Sequence, residues 1–450
     1  MRTELAALFR LGLPVALANF GYMAMGLLDT AMVGHMEEGA DAALAAVGLG
    51  NVVFMGLHHF GMGVLLALDP LISQAVGARD ERGIRHNIQR GLILALALSI
   101  PLSALLIPAE FWMVLLDQPE SVIPTARDYV WWSIPSMAVF LGMNVLRTTF
   151  QALHQLRPLI IVVVLANLLN AFLNWVLIYG HLGFPAMGAR GSAIASSIGR
   201  WFQFAAALLI AWPMLSPYLR GSWRASFKLR PLLRVLRLGM PIGFQISFEL
   251  LAFASALLFM GWIGKTAQAG HQVTIQLASF AFMLPLGLSQ AASVRVGYAV
   301  GKRDHKGLIS ATRVALLSTS VLMLGWGALF LLLPGQLAGL FTRDPAVLAI
   351  ATTLIPIAGA FQVVDGLQVV AAGCLRGMAD TLWPMFLFMT GFWFIGAPVG
   401  LWLTFGESGR GPDGWPNGLW WGLAVGLTFA SAVLILRIVR KVRTLAPRVE

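Results

Sequence analysis

Leu11-Gly12-Leu13-Pro14 opens a long apolar stretch near the start of the chain, and Leu238-Gly239-Met240-Pro241 opens another just past its middle. The match does not stand alone. Ala75-Val76-Gly77-Ala78-Arg79-Asp80 recurs as Ala299-Val300-Gly301-Lys302-Arg303-Asp304, and Pro108, Pro119 and Pro158 are answered by Pro334, Pro345 and Pro384. The offsets are 227, 224 and 226 residues, an ordered series that small insertions explain and chance does not. The sequence is therefore read as a duplication, each copy about half the chain.

Composition says what the copies are made of. Of 450 residues 58% are hydrophobic and 11% charged, against roughly 25% charged in an ordinary soluble chain. A soluble enzyme and a disordered chain are excluded, and the lone Cys374 excludes a disulfide scaffold. Runs of about 20 apolar residues, long enough to cross a hydrocarbon core, recur six times in each half, the third (Gly91–Ile107) being short. The first resembles a secretory signal, with Arg2 and Arg10 ahead of Ala16-Leu17-Ala18. Its apolar run continues to Val33 and has a counterpart in the second half, so it is expected to be an uncleaved span.

Bases set the orientation. Of the 31 Lys and Arg residues, 24 fall on the side of the termini and of every second loop, five on the other side, and Arg147 and Arg200 within spans. Both termini are then expected in the cytoplasm, and the net charge of +11 is a topology signal with no nucleic-acid partner implied. The fold expected is an all-α polytopic membrane protein of twelve transmembrane helices in two pseudo-symmetric six-helix bundles around a central cleft. Residues 1–215 form one bundle, 216–237 a basic cytoplasmic linker and 238–450 the other. An even number of spans per copy makes the repeats parallel, a plan suited to opening a cleft alternately to either side. Such a chain is expected to work as a monomer and to need no organic cofactor.

Three of the twenty acids lie deep in spans: Asp29, Glu249 and Asp365. An ionised acid at a helix centre costs at least ~2.5–3.5 kcal/mol, so each must take up a proton or keep a cation beside it. Glu249 lies about 18 Å of helical rise from Arg237, and Asp365 about 16 Å from Arg376. The two carboxylates therefore reach similar depth from opposite chain directions. Gln245 shares the face of Glu249, and Gln362 and Gln368 flank Asp365 at i, i+3, i+6. Together they can hold one monovalent cation or share one proton. Two separately hydrogen-bonded polar residues are the alternative.

The first half has a different inventory. Asn19, Tyr22, Gly26 and Asp29 form one stripe, and Asn167, Asn170 and Asn174 another. Asp29 and Arg200 come to similar depth, about 28 Å from Arg10 and about 14 Å from the outer end of the sixth span, and are expected to be able to pair. His58 and His59 read as packing residues. Gly396/Gly400 and Gly422/Gly426 have GxxxG spacing, a helix-packing signature in lipid. The Gly-rich loop Gly406–Pro416 reads as external.

At these residues the sequence resembles the multidrug and toxic compound extrusion (MATE) transporters, in particular the bacterial NorM-type branch. The likeness is carried by Leu28-Asp29-Thr30-Ala31-Met32-Val33-Gly34, by Leu238-Gly239-Met240-Pro241-Ile242 through Glu249, and above all by Asp365-Gly366-Leu367-Gln368-Val369-Val370-Ala371-Ala372-Gly373 with Leu375-Arg376-Gly377. It implies antiport of cationic or amphipathic drugs against Na⁺ or H⁺ in the bacterial inner membrane. Glu249 and Asp365 would form the C-lobe cation site, with Na⁺ as a possible occupant, and Asp29 would belong to the N-lobe site. Where branches with a proton-linked N-lobe often carry a second acid, this chain has Asn174, which favours the C-lobe pair.

Two rivals were weighed. A flippase for an anionic lipid-linked precursor would want several basic residues in its cavity, and the spans offer Arg147 and Arg200 against three acids. An intramembrane aspartyl protease using Asp29 and Asp365 would want a GxGD-like element, and Gly48-Leu49-Gly50-Asn51 has Asn in the acid position. There is no HExxH metal motif and no phosphate-binding loop.

Overall fold

The computed structural model describes residues 2–36, 39–406 and 415–449. Most of the loop Gly406–Pro416, with Arg410, lies outside them. Among the described residues twelve helices are long and apolar enough to cross a membrane. They are α1 (Arg2–Gly34), α2 (Ala40–Gly77), α3 (Glu81–Leu106), α4 (Ile123–Ala152), α5 (Arg157–Tyr179) and α6 (Gly188–Ile210) in the first half. The second half supplies α7 (Leu229–Ile263), α8 (Lys265–Lys302), α9 (His305–Leu332), α10 (Pro345–Gly377), α11 (Leu382–Phe405) and α12 (Pro416–Leu445). The all-α, twelve-span reading holds.

Helix ends differ from the hydropathy reading for physical reasons. The third span is a full one, because Asp80 accepts from the Gly83 amide at 2.9 Å and starts the helix in its charged turn, ten residues before the apolar run. α7 begins at Leu229, so the last nine residues of the 216–237 stretch are helical. After α6 a short helix, Trp212–Leu219, replaces the end of the expected sixth span.

The repeat has a structural meaning at its second motif. Arg79 and Arg303 both adopt left-handed backbone, φ 55° and 60°. Each ends one helix, and the next residue, Asp80 or Asp304, caps the following one by accepting from Gly83 or Gly307. The same elbow is built twice, and it aligns α3 with α9 residue by residue at an offset of 224.

The chain divides into two compact units, with boundaries inside α1, α2 and α7 and at the Arg79–Asp80 elbow. One comprises Met1–Ala16, Ser73–Arg79 and Phe244–Glu450, the other Leu17–Ile72 and Asp80–Gly243. In the first unit α1 packs on α8, with Gly12 against Leu288 and Gly287 against Ala16 so closely that neither glycine has room for a Cβ. Its α2 segment crosses the end of α8 in the same way, Gly77 on the Tyr298 backbone and Gly301 on the Gln74 backbone. In the second unit Gly239 and Gly243 of α7 pack on Val64 and Phe60 of α2. The first helix of each repeat thus packs on the second helix of the other, and the glycines of both sequence motifs are what permit it.

Within the first unit α11 is irregular. A π-helical stretch, Thr390–Gly396, interrupts it. Gly391, Gly396 and Gly400 lie in backbone contact with Gly422 and Gly426 of α12. The GxxxG spacing is a packing device here.

Candidate functional site

The unit that holds most of the second half contains Glu249 on α7 and Asp365 on α10. Asp365 is buried, and Glu249 stands within electrostatic range of it. Among the described residues no basic side chain pairs with either carboxylate; the ion pairs of this unit lie elsewhere, Arg295 with Glu4 at 2.6 Å and Arg437 with Asp380 at 2.9 Å. Around them Gln245, Gln362 and Gln368 are all buried. The amide nitrogen and oxygen of Gln362 and Gln368 are closed to solvent and have no hydrogen-bond partner. Orphaned buried amides are rare and call for a reason. Here four such atoms flank a carboxylate on one helix, a set able to offer oxygen to a cation or accept and donate around a shared proton.

The position of Glu249 is set from α11. Trp393, in the π-helical stretch, donates its indole N–H to the Phe248 carbonyl at 3.1 Å, and Phe392 stacks edge-on to Phe253. A π-bulge widens the helix by one residue and turns side chains that a regular helix would aim elsewhere. One helical turn from Asp365, Phe361 stacks on Trp420 of α12 at 5.7 Å, and His271 of α8 lies tilted against the same Trp420 ring at 5.5 Å.

The other unit has a closed network. Asp29 on α1 is buried and both of its oxygens are taken: Asn174 Nδ2 donates to Oδ1 at 2.6 Å and Ser196 Oγ donates to Oδ2 at 2.6 Å. Asn174 also donates to Asn170 Oδ1 at 3.2 Å, and Asn170 donates to Ser196 Oγ at 3.4 Å. Asn170 and Asn174 are fully buried, so the α5 stripe faces α1 and α6. Asn19 and Tyr22 lie on α1 about two to three turns from Asp29, Asn19 buried with its amide nitrogen unpartnered.

Arg200 is not the partner of Asp29 in this structure. Its Nη1 donates to Ser136 Oγ at 2.9 Å, and its guanidinium lies 4.7 Å over the Phe54 ring. Similar depth brought the two charges to one level, but the azimuth of α6 turns Arg200 toward α2 and α4. Arg147, the other intramembrane base, is buried on α4 with Nε and Nη2 lacking acceptors. His58 packs on Phe54 and Phe140, as a packing residue would.

Ser196 and Trp393 are site residues that sequence reasoning missed. A hydroxyl in a small-residue helix and one Trp among fifteen carry no signal of their own. Among the described residues no group of three His, Cys, Asp or Glu side chains could hold a metal ion.

Comparison with known proteins gives a consistent picture. The MatE family model matches twice, over residues 14–176 and 241–402. The chain is 37% identical to the probable multidrug resistance protein NorM of Mesorhizobium japonicum, over 99% of this chain and 96% of that protein. It is 31% identical to the multidrug resistance protein NorM of Vibrio cholerae, over 96% and 94%. Among solved structures it is similar in fold to the eukaryotic MATE transporter AtDTX14, with TM-score 0.86, 23% identity and 100% and 99% coverage. It is similar also to a MATE protein in the bent conformation, with TM-score 0.87, 20% identity and 99% and 97% coverage.

Proposed function

Since the chain belongs to the MatE family of transporters, we propose that it is a multidrug efflux protein, an antiporter that expels cationic or amphipathic drugs in exchange for Na⁺ or H⁺. The observation that carries this reading is the pair Glu249 and Asp365, two carboxylates in a membrane-spanning unit with which no base among the described residues pairs. Membership of a transporter family removes the protease rival.

The physics of such a pair favours exchange. Each ionised acid costs at least ~2.5–3.5 kcal/mol in the apolar core, and two together repel. An inward-moving cation or proton relieves both costs, and so does a cationic drug. A carrier whose empty site is this expensive changes conformation readily only when the site is filled. Two cations that compete for one filled site, each entering from its own side, are exchanged. In the Na⁺ form, the carboxylate oxygens and the amide oxygens of Gln362 and Gln368 are the hard donors such an ion takes. In the H⁺ form the pair shares the proton.

Asp29 has a supporting part in this reading. Its network with Ser196, Asn170 and Asn174 braces α1, α5 and α6. A lipid-linked anionic cargo is disfavoured because the C-terminal unit presents two free acids. We place the chain in the cytoplasmic membrane of a bacterium with both termini inside, on the strength of the 24 bases assigned to that side.

The test is drug uptake into inverted vesicles with a Na⁺ or an H⁺ gradient imposed one at a time. Uptake driven by one of the gradients is expected. Uptake that follows neither gradient contradicts antiport.

A further inference from the structure

The two repeats treat one helix face differently. In the first repeat α3 is covered by the chain's own connecting segment. Gln89 donates to the Tyr218 carbonyl at 3.0 Å, and Ser226 Oγ donates to Gln89 Oε1 at 2.6 Å. Gly221 sits directly against the Arg85 side chain. Gln89 and Ser226 are fully buried by this contact.

The offset of 224, held in register by the Asp80–Gly83 and Asp304–Gly307 caps, carries Arg85 and Gln89 to Ile309 and Arg313 of α9. Those two residues line an open groove of about 430 Å³ with Lys306, Ser310, Val314 and Leu317. All six come from α9. The face that the connecting segment seals in one repeat is open in the other.

The chemistry of the groove is graded along the helix. Lys306, Ser310 and Arg313 follow at i, i+4 and i+7, so two cations and a hydroxyl share one face within about 10 Å of rise. Lys306 and Arg313 are exposed, and among the described residues neither belongs to an ion pair. Leu317 and, one turn on, Val321 are both exposed and continue the groove toward the middle of the span, where lipid chains run. A basic, hydroxyl-bearing end at the membrane surface followed by an apolar floor complements a phosphate headgroup with its acyl chain.

We propose that this groove is a binding site for an anionic phospholipid, its phosphodiester held by Lys306, Ser310 and Arg313 and one acyl chain laid on the exposed Leu317 and Val321. The lipid takes on α9 the covering role that residues 218–226 play on α3. It closes the second repeat where the chain itself closes the first.

The test uses the full chain in vesicles or nanodiscs. Retention of phosphatidylglycerol is measured by native mass spectrometry, and thermal stability in phosphatidylcholine alone, in phosphatidylcholine with phosphatidylglycerol, and in phosphatidylcholine with free inorganic phosphate. Phosphatidylglycerol is expected to be retained and to raise the melting temperature. The Lys306→Gln/Arg313→Gln double variant should retain it on the order of 10–30-fold more weakly, at about 1 kcal/mol per base near a membrane surface. A Lys228→Gln/Arg230→Gln control, equal in charge loss, should keep wild-type retention. A photo-crosslinker at Ser310 should capture lipid. Equal weakening in both double variants, a full response to inorganic phosphate alone, or crosslinking of Ser310 to this chain's own tail or to a second copy would each overturn the assignment.

Discussion

Ser196 donates its hydroxyl to Asp29 across 2.6 Å, while Asn174 holds the other carboxylate oxygen at the same distance. The acid of the N-terminal unit is therefore satisfied by neutral donors, and those of the C-terminal unit are not. On the proposed function this asymmetry gives Asp29 a bracing part and leaves the coupling part to Glu249 and Asp365. Ser196→Ala leaves one oxygen of a buried carboxylate without its donor. A charge-assisted bond of this kind contributes about 1.5–3 kcal/mol. Thermal unfolding of the purified protein should show a loss of that order with the direction of ion coupling unchanged.

Asp29 and Arg200 stand within electrostatic range of each other without forming an ion pair. Their hydrogen-bond partners are different residues. In a double-mutant cycle the stability effects of Asp29→Asn and Arg200→Gln are expected to show a favourable coupling of about 0.5–1 kcal/mol, the low end for interacting sites. A coupling of about 3 kcal/mol or more would contradict this geometry and indicate a direct ion pair.

Gln362→Leu and Gln368→Leu test whether the orphaned amides serve a guest. Removing a buried polar group that has no partner costs the fold little and can stabilise it. Unfolding temperature should stay or rise, while the ion concentration needed for half-maximal efflux increases. A fall in stability with unchanged ion dependence would make the amides structural.

Asp380 should matter to stability more than to transport. It is 6% exposed and binds both Arg437 at 2.9 Å and Lys441 at 3.6 Å. Asp380→Asn leaves two bases without their acid. Because the bases are about 30% exposed, a loss of about 1–3 kcal/mol is expected, below that for a fully buried pair. Unfolding measured at low and high salt checks it, with the smaller difference from wild type in high salt.

Legibility in the sequence followed the physics of each feature. Twelve spans were readable because apolar length is a one-dimensional property, and the duplication because Leu-Gly-x-Pro and Ala-Val-Gly-x-x-Asp recur in order. The family match beginning at residues 14 and 241 falls on the same prolines. Helix starts at Asp80 and Leu229 were misplaced because hydropathy is blind to caps and to charged helical turns outside the hydrocarbon. The depth of Glu249 and Asp365 could be counted from the nearest bases. The same counting set Asp29 level with Arg200 but could not supply azimuth, so it missed that Ser196 and Asn174 take the carboxylate. Unit boundaries within α1, α2 and α7 were hidden for a similar reason. Which neighbour a glycine face meets is settled by three-dimensional packing, and composition does not encode it.

The central claim is that Glu249 and Asp365 couple ion entry to drug exit. Its most direct test is gradient-driven drug transport by Glu249→Gln and Asp365→Asn in inverted vesicles, normalised to the amount of each variant in the membrane. Both should reach the membrane and lose ion-driven transport. Full drug transport by both variants under the same gradient would contradict the account.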